Sequence, residues 1–248
     1  MAHAQGTDAV SGPRAWAGRL FDRLCDRFVD RQIDRFQRRL LHPNLLLLAE
    51  AQKEAAAFVR ENMAGALAVM RREDALRIAV GRAPSDGLIL EFGVGGGDSI
   101  RRIAALAPAR AVHGFDSFDG LPQDWAGRHE ERGHYSTGGV PPRVPANVAL
   151  HKGLFADTLP GFLAAHEGPC AFVHVDCDLY ASAKTVLDAL AARLAPGAVI
   201  LFDEYFNYPG WRDNEHRAFA EFTAAHRIAF DYLLWGRQEV AVAIRSVG

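Results

Sequence analysis

From residue 88 onward the chain alternates short apolar runs with helix-like stretches, and nothing else in it limits the fold so tightly. The runs LILEF (88–92), AVHGFD (111–116), NVALH (147–151), AFVHVD (171–176) and AVILFD (198–203) each read as a buried strand. Between them lie SIRRIAALA and SAKTVLDALAARLA, the second ended by Pro196-Gly197. Strand, helix, strand repetition predicts an α/β, Rossmann-like, mostly parallel seven-stranded sheet with helices on both faces. The tail FDYLLWGRQEVAVAIRS reads as two strands turned at Gly236, an antiparallel hairpin that finishes the sheet.

The first part of the chain follows a different rule. In RLFDRLCDRFVDRQIDRFQRRLL (19–41), Leu20, Leu24, Phe28, Ile33, Phe36 and Leu40 recur at intervals of three to five residues and form an apolar stripe. Arg23 and Asp26, Arg27 and Asp30, and Arg31 and Asp34 stand three apart, where each pair supports a helix by a few tenths of a kcal/mol, roughly. That is too little to hold a helix, so the stripe needs a cover. It caps the domain, lies on the surface, or meets a second copy to make a homo-oligomer through the N-terminal helices. His42-Pro43-Asn44 breaks the pattern, and a second helical region runs from about Leu45 to Val80. The expected organisation is therefore a helical extension, 1–80, followed by the sheet domain, 81–248.

Composition removes several function classes. A formal net charge of -2 gives no footprint for nucleic acid. Three cysteines without a CxxC pair indicate neither a disulfide framework nor a zinc site. No apolar run reaches the ~20 residues of a membrane span, and MAHAQGTDAV lacks the pattern of a signal peptide. The expectation is a cytoplasmic protein with a small-molecule substrate and no nucleic acid or membrane partner.

Chemistry is expected outside the carboxyl ends of the strands, where the strand order reverses. The first such end reads LEFGVGGGDS (90–99). A dinucleotide fingerprint needs G-x-G-x-x-G, but Asp98 stands in the place of the third glycine and would repel a pyrophosphate. Glu91 before Gly93 and Gly95 suits a ligand with a positive charge or an amino acid moiety; a strand-to-helix turn with no ligand is the plain alternative. Asp116, 25 residues after Glu91 at the next strand end, is placed to accept both hydroxyls of a ribose or to cap the next turn. Asp176 and Asp178 close the fourth strand, and Asp203 and Glu204 the fifth. Converging carboxylates must be neutralised by protons or by a cation, and oxygen ligands favour Mg²⁺; helix capping and pairing with Lys184 or Arg212 are the alternatives. His174 shares a strand face with Asp176, as a core histidine or a second base. The polar stretch 123–145 is long enough for a lid, with Trp125, Tyr135 and Trp211 as flat surfaces for an acceptor.

The blocks EFGVGGGDSI, VHGFDSFDGLP, HKGLFADTLP, VHVDCDLYASAKTVL and ILFDEYFNYPGWR, in this order, resemble the class I S-adenosylmethionine-dependent O-methyltransferases of the macrocin O-methyltransferase family, which methylate sugar hydroxyls in antibiotic biosynthesis. The resemblance covers about residues 88–220. It implies that Glu91, Gly93 and Gly95 surround the methionine part of S-adenosylmethionine, that Asp116 and Ser117 hold its ribose, and that Asp157 lies near its adenine. It further implies Asp176, Asp203 and Glu204 as ligands of the divalent metal and Asp178 as general base. Gly95-Gly96 replaces a bulkier pair, and Glu204 stands where aspartate is common. Rival readings are a metal-free methyltransferase, an inactive donor-binding subunit, and a nicotinamide-dependent oxidoreductase; the last lacks both the third glycine and a Ser/Tyr/Lys spacing.

Overall fold

The computed structural model describes residues 13–126 and 128–248; the N-terminal MAHAQGTDAV lies outside them. Contacts divide the chain into two compact units, Met1–Leu47 and Leu48–Gly248.

The first unit contains α1 (Pro13–Leu41) and the start of α2 (Asn44–Asn62). α1 stops one residue before His42-Pro43, where the His42 Nδ1 accepts the Asn44 N–H at 3.1 Å. The expected stripe is on its surface: Leu24, Phe28 and Phe36 are 56%, 63% and 63% exposed. Among the described residues of α1 the ion pair is Asp34 with Arg38, four apart, rather than the spacing of three read from the sequence.

The second unit holds the sheet. After α2 come β1 (Leu67–Ala68), α3 (Arg72–Arg82), β2 (Leu88–Phe92), α4 (Asp98–Leu106), β3 (Val112–Asp116), β4 (Val148–Lys152), α5 (Phe155–Ala165), β5 (Cys170–Val175), α6 (Tyr180–Leu190), β6 (Leu194–Phe202), α7 (Glu215–Ala225), β7 (Ala229–Trp235) and β8 (Val240–Ser246). The sheet order is β1-β7-β8-β6-β5-β2-β3-β4. β8 is antiparallel to both neighbours, and the other pairs are parallel. The Rossmann-like α/β architecture is as expected, with eight strands instead of seven. The additional one, β1, falls in the stretch expected to be helical; two residues are too few to show a strand period.

Alternation along the strands makes two cores. Leu90, Phe92, Val173 and Val175 face α5, α6 and α7, while Ile89 and Phe172 face α3 and α4. Each fully buried large apolar side chain contributes roughly 1.5–3 kcal/mol. Glu91 and His174 have the parity of Ile89 and Phe172, so they sit on the α3/α4 side within an otherwise apolar layer. The chain proceeds from β2 outward to β3 and β4, then crosses to β5 and β6 on the other side. The crevice of this reversal opens at the carboxyl ends of β2 and β5. Among the described residues no helix is long and apolar enough to cross a membrane.

Candidate active site

At the end of β2 the backbone leaves no room for a side chain. A Cβ at Gly93 would lie 1.6 Å from the Asp176 carbonyl oxygen, and φ there is +94°, so the tip of β5 and the turn can approach only with glycine in place. Asp116, at the end of β3, then fixes the turn. Its Oδ2 accepts the N–H groups of Val94 (2.8 Å) and Gly95 (2.7 Å), and its Oδ1 that of Phe118 (2.7 Å). One carboxylate thus holds three amides, and no lysine or arginine is needed to place it. Ser117 lines the same cleft, and its Oγ accepts the Asp119 N–H at 3.2 Å.

Glu91 does not reach the cleft. It pairs in register with His174 across β2 and β5, its Oε1 is 3.0 Å from His174 Nδ1, and both side chains are fully buried. Burial works against a charged imidazole. The carboxylates of Asp203 and Glu91 outweigh it and hold the His174 pKa at about 10. His174 thus lies fully buried in the core, and a pKa raised to about 10 does not suit it to act as a base.

Neighbouring tips of β5 and β6 bring the acids together. Asp176 donates its N–H to Phe92 C=O (2.8 Å) and Asp203 donates to Val175 C=O (3.0 Å). Between their side chains lies Arg72, from the first turn of α3: its Nη2 bonds Asp176 Oδ2 and its Nε bonds Asp203 Oδ1 at 2.6 Å. Asp203 also lies 3.7 Å from His174 Nε2. Although burial opposes its charge, His174 and Arg72 hold its pKa below the usual range. Asp178 is different. It occupies a three-residue turn closed by Leu179 N–H to Cys177 C=O at 2.6 Å, with φ +65°, a strained geometry for a non-glycine residue. Burial, then the charge of Asp203, pushes its pKa up to about 7. Burial also pushes Glu204 up, helped by Asp203, Asp176 and Asp178.

Asp176, Asp178 and Glu204 each present one carboxylate oxygen within 4.8 Å of the other two. Glu204 Oε2 is buried without a partner. An orphaned oxygen among three converging carboxylates fits a hard divalent cation. Of the expected metal ligands, Asp176 and Glu204 lie in this cluster and Asp203 is turned to Arg72 and His174. Asp178, expected as a base, is within the cluster.

These elements border one cleft of about 570 Å³, lined by the glycine turn, Asp116, Ser117, Tyr135, Phe155, Asp176, Asp178, Asp203 and Glu204. Asp157 is exposed on α5 and outside the lining; Leu154, Phe155 and Ala156 line the cleft there. Trp125 and Trp211 are core side chains, 2% and 1% exposed. Trp125 packs on Tyr208 and under the Arg128 guanidinium, 4.3 Å from its ring. The stretch 123–145 is pinned by Trp125 N–H to Glu130 C=O and Gly133 N–H to Leu121 C=O, and the buried Glu130 accepts from Arg128 at 2.8 Å. Sequence reading missed Arg72 altogether. Its partners are 104 and 131 residues away, and no local spacing marks it.

Residues 90–205 match the family described as a methyltransferase domain. A curated relative, the 8-demethyl-8-(2,3-dimethoxy-alpha-L-rhamnosyl)-tetracenomycin-C 4'-O-methyltransferase of Streptomyces olivaceus, is 36% identical over 161 residues, which is 55% of this chain and 60% of that protein. The chain thus spans about 60% of the length of this relative. Among solved structures, the calicheamicin methyltransferase CalS11 superposes with a TM-score of 0.55 at 27% identity, covering 70% of this chain and 80% of the other. The O-methyltransferase NovP shares the fold, with a TM-score of 0.55 at 24% identity over 71% of this chain and 79% of the other. The domain match, the Streptomyces olivaceus relative and CalS11 bear out the resemblance to S-adenosylmethionine-dependent O-methyltransferases.

Proposed function

We propose that this chain, whose residues 90–205 carry a methyltransferase domain, moves a methyl group from S-adenosylmethionine to a hydroxyl of a small-molecule acceptor, a sugar or other diol of a natural product, with help from a divalent metal. The observation that carries the reading is the convergence of Asp176, Asp178 and Glu204 in the cleft that the glycine turn also lines.

The sulfonium already activates the methyl group, so the protein has to align an oxygen nucleophile and make it more basic. Gly93 and Gly95 let the donor approach the backbone. Asp116 fixes that backbone and offers its remaining acceptor capacity to the ribose, with Ser117 beside it. Phe155, at the start of α5, gives the adenine a flat face; Asp157 belongs to the same turn and faces solvent. Asp176, Asp203 and Glu204 would hold Mg²⁺, which supplies a lower pKa and a fixed direction to an acceptor hydroxyl. Asp178, with its pKa near 7, is suited to take the proton that the hydroxyl loses. The exposed ring of Tyr135 borders the acceptor side.

The relatives support a sugar as acceptor: the Streptomyces olivaceus protein is named for the 4'-oxygen of a rhamnosyl group, and CalS11 is described as a TDP-rhamnose 3'-O-methyltransferase. Free thiols at Cys25, Cys170 and Cys177 support a reducing, cytoplasmic setting. The exposed apolar side chains of α1 support contact with a second copy.

Calorimetry with S-adenosylhomocysteine, then turnover with rhamnosides before and after chelation, tests the proposal. Binding and chelator-sensitive methylation are expected. Binding of NAD in place of S-adenosylhomocysteine would overturn the methyl-transfer reading, and turnover indifferent to chelator would overturn the metal.

A further inference from the structure

We propose that Arg72 is a tethered cation that occupies the acidic half of the cleft and gives way when a divalent ion binds, so that it sets the affinity for that ion. The proposal rests on the divalent-metal reading given above. One guanidinium spans the two carboxylates at adjacent strand tips, Asp176 and Asp203, which are two of the three metal ligands assigned above. A divalent ion bound to both would meet Arg72 as a like charge in direct contact, so the two cations exclude one another.

Local chemistry does not explain why Arg72 is there. It is the first residue of α3, where the helix dipole favours acids and disfavours a cation, and Glu73 and Asp74 follow it. The tertiary acids alone hold it in place. It also has somewhere to go. A second pocket of about 200 Å³ adjoins the cleft and shares Arg72 as a wall; Glu73, Leu76, Asp98, Ser99 and Arg102 form the rest of its lining. Asp98 is held by Arg101 at 2.6 Å with its side chain 87% exposed, and Glu73 by Arg102 at 3.4 Å; both can accept a second guanidinium. Rotation of the long, 39% exposed Arg72 side chain would carry it toward Glu73 and Asp98 and release the first turn of α3 from its ties to the strand tips. Asp203, relieved of Arg72 and with His174 as the remaining neighbour of its Oδ1, would then join Asp176 and Glu204. The arrangement is a two-state element biased by a ligand that prefers one state.

The test is Mn²⁺ binding to the full chain, read by electron paramagnetic resonance of free Mn²⁺ and requiring no turnover. Arg72→Gln is expected to bind Mn²⁺ about tenfold more tightly than the parent, since the competing cation is gone. Arg72→Lys should stay within about threefold of the parent, because the charge remains. Asp98→Asn should weaken binding by about twofold to threefold, as the released guanidinium loses a seat. Amide exchange on the parent gives a second measurement that needs no variant: residues 71–74 should exchange faster with Mn²⁺ bound. If Arg72→Gln binds Mn²⁺ no more tightly than the parent, or residues 71–74 become more protected, the tethered-cation role is wrong and the metal reading stands. If neither parent nor variant binds Mn²⁺, both fall.

Discussion

The two halves of the cleft solve the problem of buried negative charge in opposite ways. On the donor side a single acid, Asp116, is satisfied by three backbone amides; these amides are fixed by the turn and cannot leave. On the other side Asp176, Asp178, Asp203 and Glu204 crowd together, with the guanidinium groups of Arg72 and Arg128 and the His174 ring nearby. Glu204 Oε2 is left with no partner. The donor half is therefore complete as it stands. The acidic half is under electrostatic stress that a proton or a metal ion relieves, and this separates a surface built to bind from one built to react.

Removing the acid assigned to the chemistry should separate the halves most sharply. Asp178→Asn is expected to lower kcat by about 10²–10⁴, the usual worth of a general base, with S-adenosylhomocysteine affinity unchanged by calorimetry. Equal losses in both would mean that the halves are one unit. Next in size is Asp116→Ala, which strips three amides of a charged acceptor. Charge-assisted hydrogen bonds contribute about 1.5–3 kcal/mol each and are not additive, so donor-product affinity should fall by at least about 100-fold. A loss under threefold would show that the turn holds itself.

The same contrast explains what could be read before folding. The glycine turn and Asp116 were legible because their interactions follow a motif: Gly93 and Gly95 come directly after β2, and Asp116 ends the following strand. The acids were legible as a cluster because parallel strands end on one edge. How they are neutralised was not. Arg72 comes from α3, more than 100 positions before Asp176, and the sequence put that stretch in a helix with no assigned task. Lys184 and Arg212, the partners considered, pair instead with Asp188 and Glu54. Glu91 was misplaced for a related reason. Strand parity was available to set it within the apolar layer beneath α3 and α4, but its partner across the sheet, His174, became visible only with the register of β2 on β5. Trp125 and Trp211 followed the same course, since a large aromatic residue in a polar stretch can face either a ligand or the core.

Stress in the acidic half should also appear as stability. Glu204→Gln removes one member of the like-charged set and keeps its shape. In chelated protein its Tm should rise by about 2–4 °C for each kcal/mol relieved, and added Mg²⁺ should stabilise it less than the parent. A pH scan reads the same energy. Asp178 titrates near 7 instead of 3.8, and His174 near 10 instead of 6.5. Both folded values are raised, so each group's contribution is full below its ordinary pKa and is lost as pH rises through the folded one. His113 and His216, lowered to about 4, act with the opposite sign only below 6.5. Chelated parent should therefore lose Tm from pH 6.5 to 9, and Asp178→Asn should fall less steeply up to about pH 8 and in parallel beyond it. Parallel curves throughout would remove the strain assigned to Asp178.

The smallest effect is expected at Asp157, where the family resemblance and the geometry part. The resemblance puts this residue near the adenine. Here it lies in the first turn of α5, exposed to solvent, while Leu154, Phe155 and Ala156 line the cleft. An exposed acid in a first helical turn gains about 0.3–1 kcal/mol from the helix dipole and little else. Asp157→Ala should accordingly lower Tm by no more than about 1–3 °C and leave S-adenosylhomocysteine affinity within about twofold, since a solvated carboxylate makes only weak contacts. Phe155→Ala, two positions earlier and lining the cleft, should weaken the same ligand by about tenfold through the lost apolar surface. A tenfold loss at Asp157 with none at Phe155 would place the adenine over the outside of α5 and enlarge the donor half beyond the cleft drawn by its lining.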